Sequence, residues 1–141
     1  MSAVEIIDMV REKHEKEKKE EKKFTIRKLI EGGSIEKSLV EVYGYSFDEI
    51  KQDSRKKEFK EARQVGMFFN WIIKKSSKLS LREIGLIYGG KDHSTVLHAV
   101  KFVLRLLSLN HEREFREKVD AVSIRTGIDY KRFLECQEIK E

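Results

Sequence analysis

The chain has no proline and a single cysteine in 141 residues. Without proline, nothing inside its periodic segments removes an intrahelical donor or forces a kink. Cys136 has no second thiol for a disulfide. Nor does it form a zinc-ligand spacing with the scattered His14, His93, His98 and His111. A reduced, cytoplasmic setting is the simple expectation. No apolar run approaches the roughly 20 residues that span a bilayer, so no membrane partner is expected. The N-terminus lacks the apolar core of a secretory signal. Nucleophile signatures are missing as well. No histidine is paired with a cysteine or serine in such a pattern, and the carboxylates lie in mixed-charge runs. The expectation is a protein that is not an enzyme and carries no cofactor and no metal.

Charge is what the chain has in abundance. Charged residues make up 39% of it, against an ordinary quarter. The net charge of +5 is unevenly spread. Residues 51–105 carry 13 Lys and Arg against 5 Asp and Glu, whereas the flanking stretches are slightly acidic. A solvated surface does not require such clustering; a face that binds a polyanion does. Apolar residues recur at spacings of three and four throughout, which predicts an all-α protein.

The most organised stretch lies inside this basic segment. Ser80-Leu81-Arg82-Glu83 reads as a capping box, with Leu79 and Ile84 at the staple positions. Gly89 and Gly90 stop the first helix, and Asp92 is placed to cap a second. Leu81, Ile84 and Tyr88 share one face of the first helix. Val96, Val100, Val103 and Leu107 form the apolar stripe of the second. Two amphipathic helices joined by a short glycine turn are the pattern of a helix-turn-helix. The second helix opens with His93, Ser94 and Thr95, and its polar face continues through His98, Lys101 and Arg105. Small donors and acceptors at a helix start suit contact with base edges in the major groove. An ordinary helical hairpin with its polar face in water is the competing reading of the pattern alone.

Upstream, Ser34 is expected to cap a helix carrying Ile35, Leu39, Val42 and Tyr43, ended by Gly44. Ser46-Phe47-Asp48-Glu49 is a second capping box, with Tyr45 and Ile50 as its staple. A basic loop, Asp53-Ser54-Arg55-Lys56-Lys57, leads into a longer helix with Phe59, Ala62, Gly66, Phe69 and Ile73 on its buried face. Lys56, Lys60, Arg63 and Gln64 share another face of that helix. Gly66 costs about 1 kcal/mol in mid-helix, which close helix packing would offset. Lys74, Lys75 and Lys78 add charge near the next turn. Residues 1–30 read as a charged N-terminal helical extension, solvated or docked on a partner. Residues 31–108 read as the helix-turn-helix domain, and residues 109–141 as a C-terminal helical extension. In the last of these, His111 to Thr126 forms a helix stopped by Gly127, and Asp129 caps a final short one.

The run Gly89-Gly90-Lys91-Asp92-His93-Ser94-Thr95-Val96-Leu97-His98-Ala99 resembles the signature of the C-terminal DNA-binding domain of DnaA, the bacterial chromosomal replication initiator. Ser80-Leu81, Glu83-Ile84-Gly85 and Ala62-Arg63-Gln64 match the same signature in order and spacing. The resemblance covers roughly residues 35–107. It implies a multi-helical, Trp-repressor-like helix-turn-helix fold, to which the segments read above add extra N- and C-terminal helices. It also implies double-stranded DNA as partner, read in the major groove by the helix from Asp92. By the same resemblance, the loop at Arg55 approaches the minor groove or backbone, and Arg63-Gln64 contacts DNA. The implied DNA-binding set is Arg55, Lys56, Arg63, Gln64, Lys91, Asp92, His93, Ser94, Thr95 and His98.

Four positions depart from the family's usual residues: Asp53 for a basic residue, Trp71 for a polar or basic one, Lys91 for Arg and Ser94 for Thr. They bear on which DNA sequence is preferred. No G-x-x-x-x-G-K-[ST] run occurs, so ATP-driven origin melting in the initiator's manner is not expected of these residues. The expectation is a nucleoid-associated, sequence-specific DNA binder in replication initiation or its regulation. The alternatives are a helical interaction adaptor holding a protein partner through its terminal helices, a transcription regulator on the same fold, and binding by charge alone.

Overall fold

Among the described residues, Ser46, Ser80, Asp92 and Asp129 each cap a helix start through the side chain, and two helices stop at a left-handed glycine. The computed structural model describes residues 33–139, with side chains to Cys136, so the expectations for residues 1–32 lie outside it. The described residues form eight helices and no strand. In order they are α1 (Ser34–Tyr43), α2 (Phe47–Ile50), α3 (Lys57–Ile72), α4 (Lys74–Ser77), α5 (Leu81–Ile87), α6 (His93–Ser108), α7 (Arg113–Thr126) and α8 (Tyr130–Ile139). Gly44 and Gly127 close α1 and α7.

Three local expectations need correction. Gly33, not Ser34, is the N-cap of α1; Ser34 already lies in the helix, and its carbonyl accepts from the Ser38 hydroxyl at 2.7 Å. At Ser46 the hydroxyl oxygen accepts from the Glu49 N–H, but the Glu49 carboxylate binds that same hydroxyl rather than the backbone. Ile73 is half-buried because α3 ends before it and the chain turns into α4.

The central element is α3, which packs against α1, α2, α5, α6 and α8. It buries Ala62, Val65, Phe68 and Phe69, and α6 brings Val96, Val100 and Val103 into the same core. Gly66 is the point of closest approach. A Cβ there would collide with the Tyr88 hydroxyl, so the helix-propensity cost of glycine is offset by tight packing. A buried polar knot joins three elements at this level. The Tyr88 hydroxyl donates to Glu36 Oε1 at 3.0 Å, and the Asn70 amide reaches the same oxygen, the Tyr88 oxygen and the Gly66 carbonyl. Residues after 109 share this core: Phe115, Val119, Val122 and Tyr130 are all buried in it. The segment expected as an extension is thus packed on the domain, with α7 against α1.

Candidate nucleic-acid interface

The turn of the helix-turn-helix is built on two glycines with different tasks. A Cβ on Gly85 would strike the Lys91 carbonyl, and the Lys91 N–H donates to the Gly85 carbonyl at 2.9 Å. Gly89 has φ +91 and lies against the Lys51 carbonyl, a position no other residue fits without strain. The capping box at the head of α5 is complete: Ser80 Oγ accepts from the Glu83 N–H, and Glu83 accepts from the Ser80 N–H. Asp92 caps α6 by accepting from both the Thr95 N–H and the Thr95 hydroxyl at 2.8 Å. These bonds, the backbone one first, hold the Asp92 carboxyl below its usual pKa. The Thr95 hydroxyl proton is thereby committed, which leaves its oxygen as an acceptor on an exposed side chain.

Asp92, His93, Ser94, Thr95 and His98 are all exposed at the start of α6. Arg55 and Lys56 are exposed in the loop between α2 and α3, and Gln64 is half-exposed on α3. One groove of about 750 Å³ brings together Arg55, Lys60, Arg63, Gln64, Lys91, Thr95 and His98. It therefore joins the loop, the N-terminal half of α3 and α6. Lys56, Asp92, His93 and Ser94 do not line it; the Lys56 ammonium stands over the Phe59 ring at 5.6 Å. Lys91 is tied down, donating to Asp53 at 2.9 Å. That contact, before any other, keeps the Asp53 carboxyl below its usual pKa.

Arg63 stands apart from the other expected contacts. It is only 7% exposed. Its guanidinium donates to the carbonyls of Ile50 at 3.0 Å, Gln52 at 2.6 Å and Ser54 at 2.7 Å. Two apolar residues that the sequence reading did not single out lie exposed on α6. Phe102, 42% exposed, lines the groove four residues beyond His98, and Leu97 is 36% exposed three residues beyond Ser94. Their same-face spacing with the polar residues was the available signal.

Residues 33–103 match the family described as bacterial DnaA protein helix-turn-helix. The chain belongs to that family. The match to this DnaA helix-turn-helix family takes in α1 to most of α6, together with the loop and the groove. Among curated relatives, the chromosomal replication initiator protein DnaA of Thermodesulfovibrio yellowstonii is 45% identical over 69 residues, 49% of this chain and 15% of that protein. The DnaA of Geobacter sulfurreducens is 37% identical over 94 residues, 67% of this chain and 20% of that protein. The DnaA of Chlorobaculum tepidum is 31% identical over 96 residues, 64% of this chain and 19% of that protein. The chain thus spans about a fifth or less of the length of these DnaA relatives. No solved structure gives a significant match.

Proposed function

We propose that this chain binds double-stranded DNA sequence-specifically, in replication initiation or its regulation, with no ATPase activity of its own. The observation that carries this reading is the shared groove, which joins Thr95 and His98 of α6 to Arg55 of the basic loop. In this arrangement α6 enters the major groove, where His93, Ser94 and Thr95 meet base edges and Gln64 stands beside them. Thr95 offers an acceptor oxygen and a methyl suited to a thymine methyl. His98 and Lys91 follow the strand at the groove wall. Arg55 reaches the minor groove or backbone, and Lys56 neutralises a phosphate beside it. Asp92 serves the interface by fixing the first turn of α6. Family membership and the relatives' names as replication initiators support the same reading. Such a protein works on the nucleoid, in the cytoplasm.

The test is a binding selection on random duplex DNA, followed by competition titration of the selected duplex against a scrambled one. A recovered motif with a preference of at least tenfold is expected, since specific sites outcompete non-specific DNA by orders of magnitude. Enrichment of no motif, with strongly salt-dependent binding, would reduce the function to charge alone. No duplex binding at all would leave the protein-adaptor role.

A further inference from the structure

Three carbonyls within five residues of chain converge on one cation. The Arg63 side chain turns back from α3 to the loop. One terminal nitrogen donates to Ile50 and Gln52, and the other to Ser54. Arginine alone offers a planar fork with enough donors to hold three such acceptors at once; a lysine is a single flexible point charge. Arg55 follows Ser54 directly, so the carbonyl that Arg63 grips belongs to the peptide unit from which Arg55 departs. The loop is also fastened on its other side. Lys91 holds Asp53, and Gly89 packs on the Lys51 carbonyl. Loop, α3 and helix-turn-helix turn therefore form one braced unit centred on Arg63.

We infer that Arg63 is a positioning residue, which acts on DNA through Arg55 by setting the loop in register with the start of α6. It does not itself touch the duplex. The inference rests on the DNA-binding reading above. It departs from what the family resemblance implies for the Arg63-Gln64 pair: both border the groove, but Gln64 is half-exposed there, whereas Arg63 is buried with its guanidinium on the loop carbonyls. The register matters because two elements must reach two parts of one duplex together. A loop free to wander would spend part of its binding free energy on being ordered.

A double-mutant cycle decides it. Affinity for the selected duplex is measured for wild type, Arg55→Ala, Arg63→Lys and the double variant, with thermal melts as a control for folding. Arg63→Lys and Arg55→Ala are each expected to weaken binding by roughly tenfold, and the double variant to be no weaker than the worse single one, as coupled residues behave. Losses that multiply in the double variant would show Arg63 contacting DNA independently and overturn the inference. The salt slope is a second reading. Arg63→Lys keeps its charge, so a direct phosphate contact would leave the slope unchanged. Loss of Arg55 delivery lowers it by about 0.9. A fourth variant leaves Arg63 and the core intact. One glycine inserted between Ser54 and Arg55 keeps every charge but moves Arg55 off its anchor, and it is expected to match Arg55→Ala. An insertion that binds like wild type would also overturn the inference. Failure of the wild type to bind any duplex would instead defeat the DNA-binding reading, a distinct result.

Discussion

Glu36 is fully buried, and one of its carboxylate oxygens, Oε2, has no hydrogen-bond partner among the described residues. Oε1 accepts from Tyr88 and Asn70. Burial raises the Glu36 pKa above the ordinary 4.5, and the hydrogen bonds only partly oppose it. The folded chain therefore holds this proton more tightly than the unfolded chain does. The stability linked to it is complete below the unfolded value and is lost as pH rises through the folded one. Glu36→Gln keeps the acceptor for Tyr88 and Asn70 and removes the titration. The variant is expected to gain on wild type in urea unfolding as pH rises above the ordinary value of 4.5, until the folded carboxyl itself ionises. A stability difference independent of pH would mean that Glu36 does not titrate in this window. Because the knot ties α1 to α3 and to the end of α5, the same residue sets how firmly the helix-turn-helix is seated.

Elements bounded by local chemistry were legible in the sequence. The Ser80 box, the Gly89-Gly90 turn and the Asp92 cap each depend on residues a few positions apart, and each stands where the spacing puts it. What spacing could not give was the direction of long side chains with distant partners. Periodicity sets Arg63 on a polar face of α3, yet its guanidinium is drawn to carbonyls up to 13 residues earlier in the chain. Lys91 falls in the expected DNA-binding set, yet its ammonium is paired with Asp53, 38 residues away. Ser94 and Thr95 need no such distant partner. Both are exposed in the first turn of α6, so the Ser94→Ala, Thr95→Ala double variant is expected to melt like wild type. In the competition titration it should lose about 1–3 kcal/mol on the preferred duplex for each base contact removed. Binding to scrambled duplex, which comes from phosphate contacts, should stay nearly intact. Equal loss on both duplexes would assign the two hydroxyls to the backbone.

At the scale of the whole molecule, the cation-rich segment and the near-neutral C-terminal segment divide the work. Residues 51–105 hold the positive excess and the groove. Residues beyond 109 hold that groove's support. Two bonds from Arg116 on α7 fasten the Leu107 and Leu109 carbonyls, at 3.1 and 2.7 Å, where α6 ends. Phe115, Val119 and Val122 fill the core beside α1, and Tyr130 packs edge-on to Phe68 and Phe69 of α3. The C-terminal helical extension therefore packs on the domain and supplies part of its core. Phe115→Ala should cost about 3–5 kcal/mol, the usual range for emptying a buried aromatic site. A chain ending at Asn110 loses all four core side chains together with the Arg116 bonds. It is expected to unfold at much lower urea than the full chain and to lose duplex binding in proportion to the fraction unfolded. The decisive comparison is urea midpoint and DNA affinity on the same samples. A truncated chain with the full chain's midpoint would make α7 and α8 an appendage after all. A stable truncated chain that had lost only DNA affinity would place a DNA contact in α7 or α8 instead.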